Sequence, residues 1–215
     1  MEYCFAGDGT FQRVYAALAG SACSKRLQRL KFDDCKIEAE GACALADHLG
    51  RDAFPTLKYL RISNSPSITD VGVVALADAL LKGPQTIITN VYLIIVGMAD
   101  DGMTALASVV SQGRYEQLQH LNLSGNRGMT NQGIVALARA IETRGLPLLK
   151  ELFLFKSFND QVTLLWISAI AHAVIKGCPD LTHIALMCSR PGDDYHDMVL
   201  GMLEAAGRRG EVGVM

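Results

Sequence analysis

One apolar pattern recurs along this chain at a nearly constant interval, and that interval limits the fold more than any other property. Leu27-Gln-Arg-Leu30-Lys-Phe32 returns as Leu57-Lys-Tyr-Leu60-Arg-Ile62, Ile88-Thr-Asn-Val91-Tyr-Leu93, Leu118-Gln-His-Leu121-Asn-Leu123, Leu149-Lys-Glu-Leu152-Phe-Leu154 and Leu181-Thr-His-Ile184-Ala-Leu186, with first residues 30, 31, 30, 31 and 32 apart. A fixed period of roughly 20 to 50 residues marks an array of equal units, each too small to bury its own apolar face and each stacked on the next.

The second half of each unit repeats as well. Gly41-Ala-Cys-Ala-Leu45-Ala46 is followed by Gly72-Val-Val-Ala-Leu76-Ala77, Gly102-Met-Thr-Ala-Leu106-Ala107 and Gly133-Ile-Val-Ala-Leu137-Ala138. Apolar residues alternate in the first half, as in a half-buried strand; in the second they are three and four apart, as in an amphipathic helix. Thr69-Asp70, Asp100-Asp101 and Thr130-Asn131 stand where those helices need N-terminal caps, and Gly50, Gly83, Gly113 and Gly145 stand where they end.

LxxLxL followed by Cys35 or Asn126, and then GxxALA, resembles leucine-rich repeats of the ribonuclease-inhibitor type over roughly Leu27 to Leu186. The resemblance implies an α/β fold: a right-handed solenoid forming a horseshoe segment, its parallel sheet of about six strands on the concave face and its helices on the convex face. The position after the strand holds Ser65, Val96, Ser157 and Ser189 in the other units, so its hydrogen bonding to the turn cannot be uniform. The fifth unit is irregular, with Phe158-Asn159-Asp160-Gln161 leading into Leu164-Leu165-Trp166-Ile167.

Three segments follow: 1–26 as an N-terminal cap, 27–192 as the repeats, and 193–215 as a C-terminal capping helix and tail. Aligning Leu18 with Leu45 places Tyr3 and Phe5 where Leu30 and Phe32 sit, a degenerate opening strand. The abrupt start also suits a slice of a longer repeat protein.

Composition closes several doors. A formal charge of -2 and a pI near 6.2 give no global positive field, so neither nucleic acid nor an anionic membrane is expected as a partner. The longest apolar run, Ile87 to Ala99, is broken by Thr89 and Asn90 and falls short of the roughly 20 residues of a membrane span. Cys4, Cys23, Cys35, Cys43, Cys178 and Cys188 form no CxxC pair, which favours free, mostly buried thiols and a cytoplasmic setting. Cys178, His183, Cys188 and His196 are metal-ligand types at spacings that match no common zinc pattern. No phosphate loop, HExxH or GxSxG occurs, so no catalytic residue and no cofactor is assigned.

If the leucines of LxxLxL point inward, the residues between and just after them face outward on the concave sheet. They run from Arg29, Lys31, Tyr59 and Arg61 through Tyr92 and His120 to Phe153, Phe155 and Met187: basic and aromatic at one end, polar in the middle, apolar at the other. Aromatic, Met and Arg side chains are enriched in binding hot spots. These nine residues therefore form the expected binding surface of a non-catalytic module for a protein or peptide partner. Singly exposed apolar residues are also ordinary on any surface. Two other functions fit the repeat: a GTPase activator similar to the Ran GTPase-activating protein, against which the non-acidic ending Arg208-Arg209-Gly-Glu-Val-Gly-Val-Met215 counts, and a structural segment of a larger cytoskeletal or receptor-like protein.

Overall fold

A computed structural model describes residues 10–83, 87–155, 165–186, 195–207 and 213–214. Strand and helix alternate: α1 (Thr10–Gly20), β1 (Arg29–Asp33), α2 (Ala39–Gly50), β2 (Tyr59–Ser63), α3 (Thr69–Lys82), β3 (Asn90–Ile94), α4 (Asp100–Ser111), β4 (His120–Asn122), α5 (Asn131–Arg144), β5 (Glu151–Phe153), α6 (Leu165–Gly177), β6 (His183–Ala185), α7 (Tyr195–Ala205) and β7 (Gly213–Val214). The strands form one open, all-parallel sheet in chain order, and each α-helix packs on the next. This is a leucine-rich-repeat α/β solenoid.

The register follows the sequence period. Leu30 pairs with Leu60, Leu60 with Val91, Val91 with Leu121, Leu121 with Leu152 and Leu152 with Ile184. These residues, and the second inward row of Phe32, Ile62, Leu93, Leu123, Leu154 and Leu186, are buried between sheet and helices. Strands about 4.8 Å apart beneath helices about 8 to 10 Å apart bend the stack, so the opposite sheet face is concave. β7 extends the pattern: Val214 pairs with Ile184, a further interval of 30 residues, although its segment carries no leucine.

The glycine of GxxALA sits where successive units pack tightly. A Cβ on Gly102 would lie 2.7 Å from the Asp70 carboxylate, and one on Gly133 would lie 2.6 Å from that of Asp100. Those carboxylates act across repeats. Asp70, in the first turn of α3, accepts the N–H groups of Ala99 and Gly102 at 2.7 and 3.0 Å, at the start of α4. Asp100, in α4, accepts those of Thr130 and Gly133, both at 2.9 Å, at the start of α5. For α4 and α5 the cap is thus supplied by the preceding unit, with Thr130 adding a bond within its own helix from the Gln132 N–H at 3.2 Å, whereas Thr69-Asp70 fall inside α3 and the residue that caps it, Ile68, brings no side-chain bond. An anionic side chain there also meets the positive end of the helix dipole.

The turns after the strands are tied in the other direction. The buried Asn126 side chain accepts from the Val96 and Met98 N–H groups at 2.9 and 3.3 Å. It donates to the Leu93 and Leu123 carbonyls at 2.7 and 2.8 Å. Buried Ser65 accepts from the Ile37 N–H at 3.2 Å, and the Cys35 thiol donates to the Asp33 carbonyl at 3.2 Å. The hydrogen bonding is non-uniform, as the residue types required, and Asn126 serves the neighbouring turn in which Val96 has no polar side chain.

Of the described thiols, Cys35 and Cys178 are buried, Cys43 is half-buried and Cys23 is exposed, and all four are free. Cys23 is exposed because it lies in the connection ahead of β1 rather than at a repeat position. Cys4, Cys188, the Tyr3–Phe5 opening strand, the stretch 156–164 and Met187 lie outside the described residues. In the fifth unit Trp166, fully buried, occupies the place of the GxxALA glycine.

Candidate protein-binding surface

Because the sheet is parallel and in register, its outward side chains form rows that cross the strands. The first row is Arg29, Tyr59, Asn90, His120, Glu151 and His183; the second is Lys31, Arg61, Tyr92, Asn122, Phe153 and Ala185. Asp33, Ser63 and Ile94 begin a third, which Ser124 and Phe155 continue at equivalent repeat positions. The structure therefore gathers eight of the nine expected residues on one face; Met187 is not described.

At the β1 end the side chains hold one another. The Arg29 guanidinium lies 4.5 Å and the Lys31 ammonium 5.5 Å from the centre of the Tyr59 ring. That ring in turn sits 5.1 Å from the ring of Tyr92 at 33°. Cations over aromatic faces and offset ring pairs are both attractive geometries. Arg61 is bound differently: its Nε lies 2.6 Å from the Asp33 carboxylate, which also accepts the Ser63 hydroxyl at 2.5 Å. Partial burial pushes the Asp33 carboxyl up, but the Ser63 hydroxyl and the Arg61 guanidinium outweigh it and hold the group below the usual carboxylate range.

In the middle, His120 Nδ1 meets the Glu151 carboxylate at 2.8 Å. The Asn122 side chain accepts the Ser124 N–H at 3.0 Å, and the Ser124 hydroxyl accepts the Phe155 N–H at 3.1 Å. The polar centre is thus largely occupied with its own surface.

The β5 end is apolar. Phe153 and Phe155 are half-buried rather than fully exposed. Ala185, read as outward, is buried because its single methyl sits opposite Phe153 in the register, below the level of longer neighbours. Ser63, also read as outward, is buried by its bond to Asp33.

One residue escaped the sequence reading. Ile95 is 41% exposed and has a φ of +53°, a region that β-branched residues avoid. The equivalent positions Asp34, Asn64 and Gly125 share the positive φ and carry residue types that tolerate it. The Ile95 side chain lies against Gly125, whose N–H donates to the Phe155 carbonyl at 2.8 Å, so Ile95 and Phe155 flank one turn. A clue lay in the sequence: an isoleucine stands where the first, second and fourth units have Asp34, Asn64 and Gly125.

Among the described residues no group of three or more His, Cys, Asp or Glu side chains is arranged to hold a metal ion. No described helix is long and apolar enough to cross a membrane.

Comparison with known proteins agrees with the repeat structure. A comparison with curated proteins returns no match. Among solved structures, the complex of Rad7 and Elc1 in yeast is 15% identical, with coverage of 94% of this chain and 72% of that one, at a TM-score of 0.27. Nothing is carried over from a superposition that loose. The family model described as "Leucine Rich repeat" matches residues 55–77 and 117–138, the units that open with β2 and β4, so the chain contains leucine-rich repeats at two places recognised independently of the fold.

Proposed function

We propose that this chain is a non-catalytic protein-interaction module of ribonuclease-inhibitor-type repeats, working in the cytoplasm, whose concave sheet face seats a protein or peptide partner. The observation that carries this reading is the apolar end of the outward rows. Phe153 and Phe155 occupy sheet positions that folding would fill equally well with polar residues, and Ile94 and Ile95 at the end of β3 stand two strands away, across Ser124 and Gly125. Apolar side chains clustered on a concave face, with a polar rim, form the usual centre of a protein interface.

Tyr59, Tyr92 and Arg29 extend the contact surface, and their mutual stacking keeps them ordered before a partner arrives. The seven described strands span only about 30 Å, a modest interface by the usual size classes, so a tight partner also uses the rims.

The test is the double variant Phe153→Ser, Phe155→Ser. Its melting temperature should stay near that of the parent, while capture of the native partner falls at least about tenfold, the loss of about 1.4 kcal/mol expected for hot-spot aromatics. Undiminished capture by the folded variant would remove the concave face from consideration.

A further inference from the structure

Resting on that reading of the concave face, we propose the chemistry of the partner segment: an extended acidic peptide laid across the strands. A carboxylate side chain meets Arg29 and Lys31, and a large apolar side chain about six residues away rests on Phe153.

The charges on the face select the acidic end. Of its three N-terminal cations, Arg61 is already matched by Asp33 at 2.6 Å. Arg29 and Lys31 are held over the Tyr59 ring, and among the described residues no carboxylate forms an ion pair with either. The ring fixes them without neutralising them; Lys31 meets the Asp33 carboxylate, already bonded to Arg61, only at a range longer than an ion pair, so two oriented positive charges stand side by side at one end of the rows. Tyr59 receives a cation on its face, so an incoming carboxylate meets donors whose side-chain freedom is already reduced.

The opposite end sets the direction. Glu151 stands in the first row at β5, paired with His120 at 2.8 Å. A second carboxylate brought there would face a like charge, whereas an apolar side chain finds Phe153 in the adjacent row. The segment is therefore oriented with its acid over β1 and its apolar residue over β5.

Spacing then follows from the sheet. From β1 to β5 is four strand intervals, about 19 Å at about 4.8 Å each. An extended chain covers about 3.3 to 3.6 Å per residue, so about six residues separate the two anchors. Between them the segment crosses the flat ring pair of Tyr59 and Tyr92.

A series of synthetic peptides tests this with the full chain. Each carries an Asp-Glu pair and a Leu-Phe pair separated by a Gly-Ser spacer, varied from one residue to about ten, and binding is read by fluorescence anisotropy. Affinity should peak where the anchors are about six residues apart, weaken with added salt, and fall about tenfold or more in Arg29→Glu, Lys31→Glu. The milder pair Arg29→Gln, Lys31→Gln should lie between the two, with melting temperatures unchanged.

Absence of binding across the series overturns the inference, as does preference for a phosphoserine peptide over the Asp-Glu peptide. Self-association of the chain through this face, seen by sedimentation and lost in Phe153→Ser, Phe155→Ser, would also overturn it by making a second copy the occupant. Peptide binding that needs the two phenylalanines yet ignores the acid overturns the acidic chemistry and leaves the concave face as the working surface. Failure of the face itself shows separately, as native-partner capture unaffected by the serine double variant.

Discussion

The turn after β3 and the turn after β4 share a left-handed residue at the same position and differ in almost everything else. Ile95 and Gly125 both have positive φ, +53° and +79°. Gly125 adopts that conformation without strain, and the next residue, Asn126, satisfies four backbone groups from its buried position. In the earlier turn the glycine's place is taken by a β-branched residue, and the asparagine's by Val96, whose side chain offers no hydrogen bond. The turn after β3 keeps its shape because Asn126 reaches back to the Val96 and Met98 N–H groups. Where equivalent positions diverge, the residue that suits the backbone reports folding, and the one that opposes it reports another demand. Here the opposing residue is exposed beside the apolar end of the concave face.

The largest expected effect lies on the relaxed side of the comparison. Asn126→Ala strips partners from two buried N–H groups in one turn and a carbonyl in each of two, and should cost about 3 to 4 kcal/mol in urea unfolding. A loss below about 1 kcal/mol would mean that water replaces the side chain and that the turn after β3 is self-sufficient.

Gly125→Ala comes next, at about 2 kcal/mol, because it adds both left-handed strain and a methyl group against Ile95. In an Ile95→Gly background the steric part should vanish, leaving about 1 kcal/mol. Equal costs in both backgrounds would show that the two turns do not touch.

Such energies can be compared only if both halves unfold together, and alkaline pH tests that. Burial pushes the phenol of Tyr15 in α1 far above its ordinary range, with a smaller contribution from Cys35, and burial does the same to Tyr115 ahead of β4. Both hydroxyls are buried, and among the described residues neither has a hydrogen-bond partner. A raised phenol keeps its proton in the folded state, so its contribution is intact below pH about 10 and is lost as pH rises above it, at about 1.4 kcal/mol per pH unit for each group. Tyr15→Phe and Tyr115→Phe should each remove the same part of that slope in a single transition. Two transitions, each relieved by a different variant, would separate the halves.

The smallest effect has the opposite sign. Ile95→Asn should stabilise the chain by about 1 kcal/mol, since Asn accepts positive φ more readily, while weakening partner capture. A destabilised variant would show that Ile95 packs more than it strains.

The strand positions and their register could be read from LxxLxL because alternation over a fixed period leaves one consistent pairing, and Leu30, Leu60 and Val91 align as that pattern demands. β7 could not, since Gly213 and Val214 carry little more than their 30-residue distance from His183 and Ile184. Helix starts were located at Asp70 and Asp100, but the helices those side chains serve were not. A residue one period from its partner looks local in sequence, although the bond crosses to the next unit. The graded face was legible as residue types. The bond between Arg61 and Asp33, which satisfies one of the expected binding cations, was not, because it joins neighbouring strands 28 residues apart.

The crossed capping by Asp70 and Asp100 also bears on how such a chain can change length. The unit of α4 receives one joint from Asp70 and supplies the next through Asp100, so this energy resides in couplings between neighbours rather than within any single unit. Excising a whole period between equivalent points, such as residues 71–100, would place Asp70 where Asp100 had been and restore the joint to Thr130 and Gly133. A deletion of half that length would leave one carboxylate without its amides and one helix start without its acceptor. Growth and loss by whole units are therefore the inexpensive moves open to this architecture, and the concave face lengthens or shortens one row position at a time with each of them.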